Sequence, residues 1–251
     1  MAKLGTLYSD DKSVEKYYGQ RHRLWSRFDD GVWMTKKGWF EVTPEGIARS
    51  SASLHDVLKD KGCCLDLFCG CGGDTVQLAQ VFEKVIAVDI DPDAIEAAKK
   101  NAEVYGVSTR VTFLCADYRT LKPENFSVNA VHCSPPWGGE LYAGAPFFDL
   151  QNSLCASNGI KISDFYELLS KFSNNITMFL PRNTLLYSVV PPKFAWTFAV
   201  CRHYANEKCK GITILCGDLV ASSQLKAPSA PVYSIRNKIP LCVEKRGRGS
   251  L

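Results

Sequence analysis

The chain has 251 residues, of which 46% are hydrophobic, and its formal net charge is +4. That length can bury a full core without disulfides or metals, no apolar run approaches the ~20 residues of a membrane span, and the mild positive charge permits a phosphate-bearing partner without requiring one. The eleven cysteines form no Cys-x-x-Cys pair and no zinc-ligand spacing, and the N-terminus lacks a signal-peptide core, so we expect an intracellular protein with reduced thiols and no metal.

Residues 1–61 are predicted to form an N-terminal helical extension. Aromatic and apolar residues recur at roughly helical spacing between residues 10 and 28, interleaved with basic side chains. These basic residues form either a solvated face over a packed aromatic stripe or contacts to a ligand. Residues 38–42 are expected to be extended, and Thr43 is expected to cap a helix that starts at Pro44 and runs to about Lys59.

Strands and helices alternate between residues 62 and 220. This rhythm predicts an α/β domain with a Rossmann-like parallel sheet and helices on both faces. The predicted strands cover residues 63–68, 84–89, 110–115, 128–133 and 176–180, and an antiparallel pair is expected at 194–200 and 211–216. Helices are expected from residue 74, from Asp91 to Gly106 and over 163–172. Residues 221–251 are rich in Ser, Pro, Lys and Arg and are predicted to be a largely disordered tail.

A glycine-rich loop, Cys69 to Gly73, follows the first predicted strand. Asp89 ends the next strand about 20 residues later, as in nucleotide-binding folds. Asp89 can therefore accept both ribose hydroxyls of a nucleoside, and the alternative is a solvated turn residue. The expected cofactor residues of the loop itself are Gly70 and Gly72.

The loop departs from the dinucleotide pattern, because Gly72 and Gly73 replace the more widely spaced final glycine. Asp66 also lies inside the preceding strand, where its carboxylate would repel a pyrophosphate and favour the cationic ammonium and sulfonium of S-adenosylmethionine. Asp117, just past the third strand, can accept the exocyclic amine of adenine or can serve as a helix N-cap.

Ser134-Pro135-Pro136-Trp137-Gly138-Gly139 follows the strand predicted to end at Cys133. Two consecutive prolines cannot donate to a β-ladder, so the strand must stop and a rigid turn must begin at the edge where ligands bind in open α/β sheets. Such a loop can hold a planar base on Trp137 and accept hydrogen bonds from its exocyclic amine. The alternative is a proline-rich turn with a core tryptophan.

These motifs resemble known families. Asp66 to Gly73, Asp89 and Asp117 are similar to the cofactor motifs of class I S-adenosylmethionine-dependent methyltransferases, and Ser134 to Trp137 resembles the loop of enzymes that methylate exocyclic amines on bases. Further segments resemble the RNA cap guanine-N2 methyltransferase (trimethylguanosine synthase) family, and the similarity covers about Lys16 to Leu219. These segments are Arg23 to Gly31, Gly38 to Phe40, Val42 to Glu45, Asn101 to Gly106, Ser134 to Gly139 and Phe179 to Asn183.

The resemblance implies methyl transfer from S-adenosylmethionine to N2 of the 7-methylguanosine cap of small nuclear and nucleolar RNAs, leaving S-adenosylhomocysteine, with no metal. It implies a protein of the nucleus, and also of the cytoplasm, and a monomer is favoured. The implied catalytic residues are Ser134, Pro135, Pro136 and Trp137. The implied cofactor residues are Thr43, Asp66, Gly70, Gly72, Asp89 and Asp117. The implied substrate residues are Lys16 and Arg182 at the cap triphosphate, Trp25 at the pocket wall, Trp137 and Asn183.

Two alternatives stay open at this point. One is an exocyclic-amine methyltransferase acting on ribosomal RNA or DNA bases, which would not need the block from Trp25 to Glu45. The other is a catalytically silent cap-binding protein, which the intact Asp66, glycine loop, Asp89 and Ser134 disfavour. The sequence leaves open whether one or two methyl groups are added.

Overall fold

The computed structural model describes residues 12–137, 145–189, 198–222 and 243–245. Its contacts divide the chain into a first unit, Met1–Asp56 with Asp60–Lys122, and a second unit, Val57–Lys59 with Pro123–Leu251. The domain boundaries at residues 61 and 220 stay predictions. Most of the predicted disordered tail lies outside the described residues. No helix among the described residues is long and apolar enough to cross a membrane.

The N-terminal part of the first unit consists of short helices. They are α1 (Glu15–Tyr18), α2 (Arg21–Leu24), α3 (Gly38–Glu41) and α4 (Glu45–Ser53). The prediction of one helix over residues 10–28 is therefore wrong. The chain leaves the first helix at Gly19, and glycine is a poor helix former. The aromatic side chains pack on one another, with the Trp39 ring 5.6 Å from Phe28 and 5.7 Å from Tyr18, so the aromatic stripe is packed.

Residues 38–41 are helical, and the expected extended segment is wrong. The Thr35 hydroxyl accepts a hydrogen bond from the backbone N–H of Gly38 at 2.9 Å, and burial of Trp39 holds the turn. A Cβ at Gly38 would meet the Sγ of Cys71 at 2.5 Å, so this turn lies directly against the glycine loop. The local sequence of this stretch carries no information about that contact, which is tertiary.

Thr43 does not cap α4, because Pro44 occupies the N-cap position. The Thr43 hydroxyl instead donates to Oδ2 of Asp74 at 2.7 Å. The helix also stops at Ser53 rather than near Lys59, and a 3-10 turn over Leu54–Val57 follows it.

The sheet of the first unit confirms the predicted strands to within one residue. Its strands are β1 (Cys63–Leu67), β2 (Lys84–Asp89) and β3 (Val111–Cys115), all parallel, with β2 pairing with both others. Helix α5 (Gly73–Leu78) follows β1, and α6 (Pro92–Val104) follows β2. Asp91 caps α6 by accepting from the N–H of Asp93 at 2.9 Å, and the chain turns at Gly106 with a φ of +70°, both as predicted.

The second unit begins with β4 (Ala130–Cys133), which runs parallel to β5 (Ile176–Pro181). Helices α7 (Leu150–Asn158) and α8 (Ile162–Phe172) connect them. The predicted antiparallel pair exists, but its strands are β6 (Ala199–Ala205) and β7 (Lys208–Leu215) rather than 194–200 and 211–216. Strand β7 also pairs antiparallel with β5. Residues 194–197 lie outside the described residues. A short helix α9 (Asp218–Ser222) follows, and β8 (Val243–Lys245) pairs antiparallel with β6.

Candidate functional site

The glycine loop after β1 is tied to the end of β2 by Asp89. The carboxylate of Asp89 accepts the backbone N–H of Gly70 at 2.8 Å through Oδ2 and that of Asp91 at 3.0 Å through Oδ1. Each oxygen keeps a further lone pair, so the partly exposed carboxylate can also accept hydroxyl donors. The predicted pairing of this loop with Asp89 is a direct contact in the structure.

Two glycines of the loop have backbone conformations that favour glycine. Gly70 has a φ of +52° and nothing within 4 Å of a Cβ built on it, so open space lies above this residue. Gly72 has a φ of +88°, and its Cβ would meet the Cβ of Ala98 at 3.1 Å. Gly72 therefore allows α6 to pack against the loop, while Gly70 leaves room for a bound group.

Two carboxylates give the loop a negative field. Asp66 is 1% exposed, and its Oδ2 accepts the hydroxyl of Thr75 at 2.5 Å. Burial raises the pKa of the Cys69 thiol well above its ordinary value, and the charges of Asp66 and Asp89 raise that pKa further. This field disfavours a pyrophosphate and fits a cationic amino acid moiety.

Asp117 forms the predicted alternative, a helix N-cap. It accepts the backbone N–H of Arg119 at 2.9 Å at the start of the 3-10 turn Tyr118–Thr120. The Arg119 guanidinium also pairs with the Asp117 carboxylate. Hydrogen bonding to Arg119 holds the pKa of Asp117 below its ordinary value, and the Arg119 side chain donates to both carboxylate oxygens.

Two residues beside Asp89 are not among the site residues predicted from the sequence. Ile90 is an exposed hydrophobic side chain, with 67% of its surface accessible. The sequence feature that could have identified Ile90 is an apolar residue directly after the acid that ends a strand. Glu41 on α3 also lies near this edge. Burial raises the pKa of Glu41, Lys37 opposes that shift, and the charges of Asp89 and Asp91 add to it. No sequence signal connected Glu41 with this edge, because its segment was expected to be extended.

In the second unit, β4 ends at Cys133, directly before the Ser134–Pro136 turn, as the two prolines predict. The Ser153 hydroxyl donates to the carbonyl of Pro136 at 3.4 Å, which fixes the turn to α7. Trp137 is partly exposed, and its ring centroid lies 5.3 Å from that of Phe179. Trp137 is therefore not a fully buried residue, although its indole Nε1 is buried. Gly138 and Gly139 lie outside the described residues.

Arg182 and Asn183 follow β5 directly. Arg182 is exposed, and its side chain makes no ion pair within the part of the chain that the structure describes. Asn183 holds a neighbouring segment: its Nδ2 donates to the carbonyl of Ala145 at 3.0 Å, and its own carbonyl accepts the N–H of Phe148 at 2.9 Å. The structure thus leaves Arg182 accessible to an anion and gives Asn183 a supporting position.

The two predicted substrate residues of the N-terminal part differ in exposure. Lys16 is exposed on α1, with its Nζ 5.7 Å from the Tyr17 ring. Trp25 is only 1% exposed; its Nε1 donates to the sulfur of Met34 at 3.2 Å, and its ring lies 5.6 Å from Tyr105. The structure therefore places Trp25 in the core, and its role in the wall of a cap pocket stays a prediction.

Across the described residues, no group of three or more His, Cys, Asp or Glu side chains is arranged to hold a metal ion. The candidate site of the first unit thus consists of the glycine loop with Asp66, Asp89, Ile90 and Asp117. That of the second unit consists of the Ser134–Trp137 turn and Arg182.

Comparison with known proteins shows a family to which the sequence is similar. A sequence profile described as RNA cap guanine-N2 methyltransferase matches residues 61–241, and it extends past residue 219, where the resemblance was expected to end. The trimethylguanosine synthase of Schizosaccharomyces pombe is 38% identical over 179 residues, which cover 69% of this chain and 72% of that protein. The trimethylguanosine synthase of Saccharomyces cerevisiae is 35% identical over 214 residues, covering 81% and 67% respectively.

Solved structures support the fold. A Porphyromonas gingivalis crystal structure assigned to the methyltransferases matches with a TM-score of 0.61 at 12% sequence identity, and the match covers 93% of this chain and 56% of that one. At this identity the likeness concerns the fold alone, and it confirms the predicted Rossmann-like α/β architecture.

Proposed function

The chain belongs to the RNA cap guanine-N2 methyltransferase family, and from that membership we propose that its substrate is the 7-methylguanosine cap of small nuclear and nucleolar RNAs. The protein is an S-adenosylmethionine-dependent enzyme that methylates N2 of a cap guanine and releases S-adenosylhomocysteine. The proposed products are 2,7-dimethyl- and/or 2,2,7-trimethylguanosine caps, and the names of its two yeast relatives support the trimethylated product. We further propose a monomer that acts in the nucleus, and also in the cytoplasm.

The observation that carries the assignment is the partly exposed Trp137 directly after the Pro135–Pro136 corner at the end of β4. Methylation at N7 makes the guanine ring cationic, and a cation over an indole face is attracted by about 2 kcal/mol when desolvated. Stacking on Trp137 would then favour the 7-methylated cap over an unmodified guanine.

We propose that the first unit binds the cofactor. Asp89 would accept the ribose hydroxyls through the lone pairs that Gly70 and Asp91 leave open. Asp66 would balance the positive charge of the methionine moiety from beneath the loop. S-adenosylmethionine, when bound, supplies a methyl group on a positively charged sulfur.

The adenine would be held by groups at the ends of β2 and β3. Ile90 offers its exposed side chain to the face of the ring, and Asp117, which stays ionised beside Arg119, would accept the exocyclic amine. Thr43 is buried and donates to Asp74, so its proposed contribution is to the position of α5 rather than a direct contact.

The chemistry proposed for Ser134 and Pro135 is to activate the guanine amine. The lone pair of N2 is delocalised into the ring, which makes it a poor nucleophile. Hydrogen bonds from the amine to the Ser134 hydroxyl and the Pro135 carbonyl would localise that lone pair on nitrogen. Because the leaving group is a neutral thioether, positioning supplies much of the rate, and the proton leaves to water after transfer without a dedicated base.

We propose that Arg182 and Lys16 bind the cap triphosphate. Both side chains are exposed and cationic, and the planar guanidinium of Arg182 matches phosphate geometry. Trp25, which is buried, is proposed for the wall of the cap pocket rather than for this contact. Asn183 would support the Arg182 turn through its hydrogen bond to Ala145.

One incubation separates this function from its alternatives. Purified protein is given radiolabelled S-adenosylmethionine with 7-methyl-GTP or with GTP. We expect label in 7-methyl-GTP and little in GTP. Label in neither, with measurable binding of 7-methyl-GTP, would identify a silent cap-binding protein. Equal label in both would point to a methyltransferase for other guanine amines.

A further inference from the structure

Trp137 rests on a row of buried aromatic side chains in the second unit. Its ring centroid lies 5.3 Å from that of Phe179, with the two planes tilted by 47°. Phe179 in turn meets the ring of His203 edge-on, at 5.8 Å and 70°. The imidazole is held at its far end by a 2.7 Å hydrogen bond between its Nε2 and the Thr213 hydroxyl.

The strand register explains why this row exists. Phe179 on β5 lies opposite Thr213 on β7, and His203 on β6 lies opposite Gly211 on β7. Residues two apart on a strand share a face, so these four residues share one face of the sheet. Phe179 is 2% exposed, and His203 and Thr213 are 0% exposed, so the row is rigid below the indole.

Gly211 fixes where the phenyl ring can lie. A Cβ at this position would meet Cε2 and Cζ of Phe179 at 2.6 Å and the carbonyl oxygen of Leu180 at 3.0 Å. Glycine inside a strand usually weakens it and often marks a close approach of another group. Here the approaching group is the Phe179 ring, which lies over the bare backbone of Gly211 and is thereby brought against Trp137.

We propose that Phe179 is a positioning residue for methyl transfer: it sets the plane of the Trp137 indole, and through that plane the selectivity for a 7-methylated guanine. The proposal rests on the function proposed for Trp137. The torsion that turns an indole about its Cβ–Cγ bond is broad, so a partly exposed tryptophan needs a neighbour to select one orientation. A pre-oriented ring avoids the cost of ordering it when the cap binds.

The test replaces Phe179 without touching any residue proposed to contact the cap. Phe179→Leu keeps an apolar side chain but removes the ring contact. The matched control is Phe172→Leu, which removes a similar aromatic pair in the same unit, because Phe172 meets Phe126 at 5.6 Å and 73°. Gly211→Ala is a second variant that displaces the phenyl ring by adding a single methyl group.

The measurements are kcat/KM for 7-methyl-GTP and for GTP, at a temperature well below the melting temperature of every variant. Because an aromatic pair contributes about 0.5–1.5 kcal/mol, kcat/KM for 7-methyl-GTP should fall about 2- to 13-fold in Phe179→Leu. The ratio of kcat/KM between 7-methyl-GTP and GTP should fall with it. Gly211→Ala should lower that ratio in the same direction, and Phe172→Leu should leave it unchanged.

A purely structural role for Phe179 predicts a different result. Phe179→Leu would then lower the melting temperature as Phe172→Leu does, with the substrate ratio unchanged, and the positioning role would be overturned. Trp137→Ala, measured in parallel, keeps the two proposals apart. Near wild-type kinetics in Trp137→Ala would refute the stacking function itself, whereas loss of activity there with an unchanged ratio in Phe179→Leu would refute positioning alone.

Discussion

Asn101 and Trp33 exchange two hydrogen bonds between a side chain and the backbone. The N–H of Trp33 donates to Oδ1 of Asn101 at 2.7 Å, and Nδ2 of Asn101 donates back to the carbonyl of Trp33 at 2.8 Å. The second proton of Nδ2 goes to the carbonyl of Cys71 in the glycine loop, also at 2.8 Å. One fully buried amide on α6 therefore holds the N-terminal segment and the proposed cofactor loop in a fixed relation.

Removing this amide should cost both stability and cofactor binding. Asn101→Ala leaves three backbone groups without this partner, and the carbonyl of Cys71 among them is buried. One buried group left unsatisfied typically costs about 1–3 kcal/mol. We expect a clearly lower melting temperature and weaker binding of S-adenosylhomocysteine by calorimetry. Asn125→Ala, an exposed asparagine of the same chain, is the control and should change neither. Wild-type affinity in a destabilised Asn101→Ala would mean that the amide holds the fold but not the loop.

Asp89 should be indispensable for cofactor binding. Asp89→Ala removes the proposed ribose acceptor and also releases the Gly70 N–H. We expect no detectable heat with S-adenosylhomocysteine in calorimetry and no methyl transfer. The exposed Asp93 in the first turn of α6 provides the control, since Asp93→Ala should bind normally. Unchanged affinity in Asp89→Ala would rule out the ribose assignment.

Arg182 and Lys16 should matter only when phosphates are present. Contacts to the triphosphate bind the ground state and the transition state alike, so Arg182→Ala and Lys16→Ala should raise KM for 7-methyl-GTP with little change in kcat. Neither change should affect the use of 7-methylguanosine nucleoside. The control is Lys171→Ala, another exposed cation of the second unit. Equal losses on nucleoside and triphosphate would contradict the phosphate role.

Lowering the pH should weaken the hydrogen bonds that Ser26 donates to the carboxylate of Glu45 on α4. Burial raises the pKa of Glu45, but hydrogen bonds from Ser26 and Tyr105 and the charge of Arg49 outweigh burial, so the net pKa is lowered. A carboxyl group whose pKa is lower in the folded protein than in the unfolded chain stabilises the fold at pH values above its unfolded pKa of 4.5. This stabilisation is lost as the pH falls through the folded-state pKa.

The measurement is urea unfolding at pH 7 and at pH values below 4.5, for wild type and Glu45→Gln. We expect the difference in unfolding free energy between the two proteins to shrink as the pH falls, because protonated Glu45 resembles glutamine. Glu124→Gln, an exposed acid, should show no such convergence. A difference between wild type and Glu45→Gln that is independent of pH would show that ionisation of Glu45 contributes nothing.

The sequence predicts the sheet well and the N-terminal part poorly, for a physical reason. Strands such as Lys84–Asp89 are short apolar runs bounded by turn residues, and those signals are local. The pattern from residue 10 to 28 has helical spacing because its aromatic rings pack on Trp39, and that packing is tertiary. The expected extended segment over residues 38–42 failed for the same reason.

The proposed site likewise contains residues that the sequence predicts and residues that only the structure reveals. Asp89 and the Ser134–Trp137 turn follow from strand ends and proline chemistry, which a sequence displays directly. The support of Trp137 by Phe179, and the reason for glycine at position 211, depend on which residues face each other across β5 and β7. The burial of Trp25 could not be predicted either, because a family motif does not report burial.

Trp137 should carry the preference for 7-methylated guanine. The added methyl group changes the charge of the base more than its shape, so discrimination should depend on the electronics of the stacked ring. Trp137→Ala should abolish activity, whereas Trp137→Phe should keep some activity and discriminate less between 7-methyl-GTP and GTP, because a phenyl face attracts cations more weakly than an indole. Kinetics on the two substrates measure both effects.

Melting temperatures then separate stacking from packing. Trp39 is 3% exposed, and Trp39→Ala should cost about 3–5 kcal/mol, as truncation of a buried aromatic residue does. Trp137 is partly exposed, so Trp137→Ala should melt much closer to wild type than Trp39→Ala does while losing its activity. If Trp137→Ala melted as low as Trp39→Ala, the indole would be a core residue. In that case the loss of activity would follow from unfolding, and selectivity for the methylated cap would have to come from another group.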